Sequence, residues 1–147
     1  MKNIALIIFS FTLIATQGCK QERIQDSAQW RGANRDGIFH ETELLDQWPD
    51  EGPELLWVYE GLGRGFASPA VTTDGLFVNG EQEGNSYLFA LDLEGNMLWK
   101  SPNGKEFLGD GFSSAYPGAR SIPPVYGDLD YASSGEGQIG CFETSTG

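Results

Sequence analysis

The feature that most constrains the fold is a repeated unit of short strands separated by tight turns. Residues 88–100, LFALDLEGNMLWK, contain an apolar segment, a turn and a second apolar segment that ends in Trp99. The apolar segments at 68–71 and 76–78 precede them, and a glycine-rich turn follows residue 78. Short apolar segments bounded by turn residues are typical of antiparallel strands. Residues 68–100 are therefore predicted to form one unit of four strands.

The same unit recurs along the chain. IPPV at 122–125 repeats SPAV at 68–71 with an offset of 54 residues, and IGCFE at 139–143 repeats LFALD at 88–92 with an offset of 51. Residues 130–132, which lie between the two repeated segments of the second copy, correspond to residues 76–78 of the first copy. Upstream, Leu56 and Trp57 in ELLWVYE, residues 54–60, repeat Leu98 and Trp99, which predicts another strand. The chain then holds the last strand of one unit, four of a second and three of a third.

Four strands per unit and a period of roughly 40–50 residues are typical of the blades of a β-propeller. We therefore expect an all-β fold, a partial β-propeller of four-stranded antiparallel blades, with about two and a half blades in residues 30–147. A tryptophan at the end of each unit suits this fold, because its wide ring can cover the gap between neighbouring blades. At most one helical turn is expected, around residues 41–45.

The N-terminal segment is predicted to direct export. Residues 1–18 contain a short basic start and an uncharged, mostly apolar stretch at 4–16, which is shorter than a membrane span. Gly18-Cys19 follows, as at a bacterial lipoprotein cleavage site, and predicts lipidation of Cys19 and anchoring to a membrane. An ordinary signal peptide that happens to contain a cysteine is the alternative. The polar residues 20–29 extend this anchor, so residues 19–29 are predicted to be a flexible tether.

The net charge limits the classes of molecule that the chain can bind, and the cysteine content limits the disulfides that it can form. The chain has a net charge of −12, and removal of residues 1–18 takes away Lys2 and makes it −13. Such a surface repels nucleic acid, so no nucleic-acid partner is predicted. Once Cys19 carries lipid, Cys141 is the one remaining cysteine, and no internal disulfide can form. Cys141 is expected to be a small buried residue on an interior strand.

Two segments, one that starts at Ala90 and one that starts at Cys141, resemble a tryptophan-docking motif, A-x-D-x-x-T-G-x-x-x-W. This motif belongs to the pyrroloquinoline-quinone-like, or quinoprotein-type, propeller repeat family. The first copy lacks one turn residue and the threonine, and the second has Cys for Ala and Glu for Asp. WRGANRDG at 30–37 and LLWVYEGLGRGFASPAV at 55–71 also resemble the opening of bacterial members. The matching positions, with the upstream tryptophan, are Trp57, Ala90, Asp92, Gly95, Trp99, Cys141, Glu143, Thr146 and Gly147.

The resemblance implies a fold and two functions. Family propellers have about seven or eight blades, which implies that this sequence is the N-terminal part of such a propeller. The first implied function is a lipid-anchored binding or scaffold module of the bacterial cell envelope, with envelope proteins as partners, comparable to the lipoprotein propeller of the outer-membrane barrel-assembly machinery. The alternative is a quinoprotein oxidoreductase acting on alcohols or sugars, with most of its active site outside these residues. Pyrroloquinoline quinone and calcium would then be cofactors of a full-length homologue.

Few residues suggest chemistry of their own. Arg64 and Arg120 each precede a proline-containing strand that would line the propeller channel, where a guanidinium could bind a carboxylate or an anionic quinone. The alternative is that the two arginines bond loop carbonyls or pair with nearby Asp and Glu. His40, the single histidine, is expected to be exposed, and Asn34, Asp36, Gly37 and Glu43 have part of a calcium-loop spacing that a plain turn also explains. No catalytic residue, metal site or cofactor is predicted for these residues.

Overall fold

The computed structural model describes residues 27–32 and 34–147. The predicted signal peptide, Cys19 and residues 20–26 of the predicted tether lie outside these residues. The strands are β1 (Ser27–Ala28), β2 (Ala70–Val71), β3 (Leu76–Gln82), β4 (Asn85–Leu91), β5 (Met97–Lys105), β6 (Val125–Tyr126), β7 (Leu129–Ser133) and β8 (Ile139–Glu143). A short 3-10 helix, Gly111–Ala115, lies between β5 and β6.

The strands form two four-stranded sheets. Sheet 1 has the order β2-β3-β4-β5 and sheet 2 the order β1-β6-β7-β8. All neighbouring strands are antiparallel, with Phe77 opposite Ala90 in sheet 1 and Tyr131 opposite Cys141 in sheet 2. The predicted all-β, antiparallel architecture is confirmed, and within the described residues the two sheets do not close into a ring.

The core lies between the two sheets. Side chains alternate along a strand, so one face of sheet 1 presents Phe77, Leu88 and Ala90, and these buried residues pack with Val125 and Ala132 of sheet 2. Burial of such side chains away from water supplies the main stabilisation of the pair of sheets.

The opposite face of sheet 1 is also buried, at Val78, Phe89 and Leu91. Segment 57–62 contacts this side of the sheet and its edges: the Tyr59 hydroxyl donates to the Met97 sulfur at 3.5 Å. The carbonyl of Leu62 lies where a Cβ on Gly80 would project, so glycine is required for this close approach. Sheet 1 is therefore packed on both faces.

The strand predicted at residues 54–60 does not form. These residues run as irregular backbone with no strand partner within the described chain, although their sequence favours a strand. A strand requires a neighbour that accepts its hydrogen bonds, and residues 54–60 form no such ladder within the described residues. Residues 27–28 of the predicted tether pair with β6 and so belong to sheet 2. The helical turn considered around residues 41–45 is absent from this part of the structure.

The prediction that Cys141 is buried is wrong. Cys141 is exposed on the outer face of sheet 2, which we define by its outward side chains Tyr126, Leu129, Tyr131, Ile139 and Cys141. Ala90 has the same place in the repeat and is fully buried, because sheet 2 covers it. Burial at this position depends on whether another layer covers the sheet, and the local sequence does not specify that layer.

Candidate functional site

Trp57 docks on the turn that follows β4. Its indole N–H donates to the carbonyl oxygen of Leu93 at 2.9 Å. The six-membered part of its ring lies over Gly95, where an added Cβ would approach ring atoms to 2.7 Å. Gly95 has a φ of +87°, which glycine adopts without strain. Glycine is thus needed here both for the turn and for the ring that covers it.

Trp99 makes the same contact one unit later. Its indole N–H donates to the carbonyl oxygen of Thr144, again at 2.9 Å, and its ring covers Gly147, where an added Cβ would approach to 2.8 Å. Its ring centroid also lies 5.9 Å from that of Phe77 in the core. Each tryptophan therefore contacts the turn of the sheet that follows it, and in both cases the accepting carbonyl belongs to the residue after the motif acid.

The motif acids organise the two turns. The Asp92 carboxylate accepts hydrogen bonds from the backbone N–H groups of Glu94 and Asn96 and from the Asn96 side chain. The Asn96 side-chain donor, followed by its backbone N–H, lowers the pKa of Asp92. In the second turn the Thr146 hydroxyl donates to the Glu143 carboxylate at 3.1 Å. The two acids therefore stabilise the turns by accepting hydrogen bonds within them, and each tryptophan packs on one of these turns.

Arg64 forms an ion pair within sheet 1 and its adjoining segment. Its Nε lies 2.6 Å from Oε2 of Glu81, whose side chain is 1 % exposed. The hydrogen bond from Arg64 holds the pKa of Glu81 below its ordinary value, although burial acts in the opposite direction. Arg64 thus neutralises a buried carboxylate. Pairing with a nearby acid was the alternative to a role for Arg64 in binding an anion.

Arg120 lies at the wall of a cavity of about 190 Å³ that Glu106, Phe107, Ser121 and Ser134 also line. Its guanidinium donates to the carbonyl oxygen of Tyr116 and lies 5.7 Å from the Phe107 ring centroid. Glu106 is buried, and its Oε2 has no hydrogen-bond partner within the described residues. The wall of this space therefore combines a cation, a buried carboxylate and hydroxyl groups.

The two arginine segments are neighbours. Gly65 and Ala119 form a parallel bridge, and the Phe66 N–H donates to the Ala119 carbonyl at 2.6 Å. The side chain of Arg64 nevertheless pairs with the Glu81 carboxylate, whereas that of Arg120 donates to the Tyr116 carbonyl. The two arginines therefore do not form one cationic site. A separate cavity of about 500 Å³ lies beside Trp30, Phe39 and Ile122, and its wall is mostly apolar.

Several buried acids escaped the sequence analysis. Glu81, Glu106 and Asp130 are all buried, and Asp130 has no hydrogen-bond partner for either carboxylate oxygen within the described chain. Burial raises the pKa of Asp130 to about 7. The sequence held one signal for the burial of Asp130. In the repeat, Asp130 occupies the position of Leu76, so an acid stands where the other unit has an apolar residue.

The remaining candidates have simple surroundings. His40 is exposed, and the Asp36 carboxylate accepts from the Ile38 N–H as in an ordinary Asx turn. No group of three or more potential metal-ligating side chains occurs within residues 27–32 and 34–147. In the same part of the chain, no helix has the length and apolar character needed to cross a membrane.

Comparison with known proteins adds no family. The chain matches no protein-family model, no curated protein and no solved structure at a significant level.

Proposed function

We propose that this chain is a lipid-anchored binding or scaffold module of the bacterial cell envelope, built from β-propeller blades. The observation that carries the proposal is the repeated tryptophan contact. Trp57 and Trp99 each donate to a turn carbonyl of the following sheet at 2.9 Å. A contact that links each unit to the next in one direction is the kind of contact by which blades follow one another.

The exposed surface supports a binding role. Tyr126 and Ile139 stand out from the outer face of sheet 2, and Ile139 is 81 % exposed. Leu55, Leu56 and Val58 are exposed on the segment that precedes sheet 1. Large exposed apolar patches mark sites at which proteins bind other proteins. The guanidinium of Arg64, in contrast, already pairs with the carboxylate of Glu81, which argues against a role in binding an anionic ligand.

Photo-crosslinking in the envelope tests the binding role. A photoreactive amino acid replaces Tyr126 on the outer face, and a control replaces Leu93 at the docking turn. We expect discrete cross-linked products from position 126 and few from position 93. Equal product patterns from the two positions would contradict a specific binding surface.

Fatty-acid labelling tests the anchor. Cys19 should incorporate labelled fatty acid, and Cys19→Ser should abolish the label and release the chain from the membrane fraction. Equal labelling of both chains would remove the lipid anchor from the proposal.

Titration with pyrroloquinoline quinone, with and without calcium, separates the scaffold from the oxidoreductase. The quinone is anionic, and a chain of net charge −12 disfavours an anion unless local cations compensate. We expect no saturable binding at micromolar concentrations. Saturable binding that Arg120→Ala abolishes would favour the oxidoreductase.

A further inference from the structure

The cavity of about 190 Å³ beside Arg120 has a wall built from three parts of the chain. The residues just after β5, the residues just before β6 and the end of β7 all contribute to it, and they lie between positions 106 and 135. Pockets for drug-sized ligands measure about 300–1,000 Å³. This cavity is therefore of a size for a smaller molecule, one with few non-hydrogen atoms.

Glu106 places a buried carboxylate at this wall. The residue is 4 % exposed, and one of its carboxylate oxygens, Oε1, accepts a hydrogen bond from the Phe107 N–H at 3.0 Å. The other oxygen, Oε2, is also buried and has no hydrogen-bond partner among residues 27–32 and 34–147. A buried carboxylate oxygen without a donor is costly. A cationic donor on a bound molecule would remove that cost.

Arg120 places the opposite charge at the same wall. Its guanidinium donates to the Tyr116 carbonyl, and because a guanidinium has five N–H donors, others remain for a carboxylate. Arg120 and Glu106 do not pair with each other. The one ion pair in the described part of the chain joins two other residues, Arg64 and Glu81. Each charge of the cavity is thus available to a different end of one bound molecule.

Two serine hydroxyls at the wall are held in place by the surrounding structure. Ser121 Oγ accepts from the Asn79 side chain at 2.9 Å and donates to the Ser133 carbonyl at 3.0 Å. Ser134 Oγ accepts from the backbone N–H of Gln138 at 3.1 Å, which leaves its own hydrogen to donate to a bound molecule. Asn79 and Ser134 are both buried. The polar groups of the wall are therefore positioned before a ligand arrives.

We propose that this cavity binds a free α-amino acid with a short side chain. The ammonium group of the ligand contacts Oε2 of Glu106, and its carboxylate accepts hydrogen bonds from Arg120 and from the Ser134 hydroxyl. Each end of the zwitterion then meets a charge of opposite sign. A simple anion is less well suited, because the net charge of −12 repels it, whereas a zwitterion adds no net charge. The inference adds a ligand to the proposed module and depends on neither its anchor nor its protein partners.

Calorimetric titration of the full exported chain with three related probes tests the pairing of charges. L-Alanine carries both charged groups, ethylamine lacks the carboxylate, and propionate lacks the ammonium group. We expect saturable binding of L-alanine, and at least about tenfold weaker binding of ethylamine and of propionate, since each of these makes only one of the two charged contacts. Absence of saturable L-alanine binding at millimolar concentrations would overturn the inference. So would equal affinities for L-alanine and either of the other probes, since that result indicates a site for a plain anion or a plain cation.

Two substitutions separate the two contacts. Glu106→Gln keeps the size of the side chain and removes its charge, so it should weaken L-alanine binding at least about tenfold and abolish the preference for L-alanine over propionate. Arg120→Gln should weaken L-alanine binding to a similar extent and abolish the preference for L-alanine over ethylamine. A general loss of structure would not produce these opposite changes in preference.

The matched control is Glu136→Gln, which makes the same change at an exposed acid outside the cavity wall and should leave the affinity for L-alanine unchanged. Near-ultraviolet circular dichroism checks the folding of each variant, and if Glu106→Gln does not fold, the three probes on the parent chain decide the question. A loss of affinity in Glu136→Gln as large as that in Glu106→Gln would indicate an effect of net charge alone and would overturn the inference. Cross-linking through position 126 does not depend on this cavity, so the scaffold role is tested separately.

Discussion

Three strands of sheet 1 and three strands of sheet 2 come from the same repeated sequence, but the two sheets differ in what surrounds them. Sheet 1 is packed on both faces, by sheet 2 and by segment 57–62, whereas sheet 2 is packed only on the face toward sheet 1. Equivalent positions therefore have different burial: Ala90 is fully buried, and Cys141 is exposed. The repeat specifies where a strand lies, and the next layer decides what its outward side chains contact.

The two sheets also treat buried acids differently. In sheet 1, Glu81 is paired with Arg64, and its pKa is lowered by that hydrogen bond. In sheet 2, Asp130 lies in the core with no hydrogen-bond partner within the described residues, and burial raises its pKa to about 7. A buried charge without a partner is costly, so ionisation of Asp130 carries a cost in sheet 2 that the paired Glu81 does not carry in sheet 1.

The largest expected effect is the loss of the contact that joins the sheets. Trp99 bonds to the Thr144 carbonyl and packs beside Phe77, so Trp99→Ala removes a hydrogen bond and leaves a cavity. We expect a loss of about 3–5 kcal/mol in the free energy of unfolding. Urea denaturation followed by circular dichroism measures it.

The control for Trp99→Ala is His40→Ala. His40 is exposed, so this change should alter the free energy of unfolding by no more than about 0.5 kcal/mol. Equal losses for the two variants would show that Trp99 does not hold the sheets together.

Strand positions were the most predictable part of the fold. Apolar segments bounded by glycine and aspartate located β3, β4, β5, β7 and β8, and the segment at 139–143 that repeats 88–92 coincides with β8. β3 and β5 extend further than expected, because Gln82 and Lys105 continue the ladder on either side of Asn85. Polar residues at the end of a strand carry little local signal, and their pairing is decided by the neighbouring strand.

The second expected effect concerns the acid that distinguishes sheet 2. Asp130→Leu introduces the residue that sheet 1 has at the corresponding position, Leu76. The folded chain holds the Asp130 proton up to about pH 7, whereas the unfolded chain releases it near pH 4. The folded state therefore binds more protons between these values, so stability falls as pH rises from about 4 to about 7.

Removal of the carboxyl group should remove this pH dependence. We expect Asp130→Leu to be more stable than the parent by about 1–4 kcal/mol at pH 8, and to gain much less at pH 5. Thermal and urea unfolding at the two pH values measure the difference. Parallel pH profiles of parent and variant would mean that Asp130 finds a partner in solution.

The acids of the candidate site show why part of it could not be predicted. Arg64 was identified from its position before a strand, but its partner Glu81 lies 17 residues away and across a turn, so no local pattern joins them. Glu106 and Arg120 line one cavity only because the loop that contains the 3-10 helix folds back between β5 and β6. The repeat predicts which residues share a place in a unit, but it does not predict contacts that belong to one unit alone.

The smallest expected effect compares one motif position in the two sheets. Ala90 is fully buried beneath sheet 2, so Ala90→Val forces two extra methyl groups into a packed core and should cost about 1–3 kcal/mol. Cys141 occupies the same motif position on the exposed outer face, so Cys141→Val should change the free energy of unfolding by no more than about 0.5 kcal/mol. Both variants introduce the same β-branched side chain within a strand, so the intrinsic strand preference of valine is matched. Urea unfolding of dilute, monomeric samples measures both changes, and a thiol reagent should modify Cys141 in the folded parent chain without unfolding it. If Cys141→Val costs as much as Ala90→Val, or if the thiol reacts only after unfolding, another layer covers sheet 2 in solution, and the difference between the two sheets disappears.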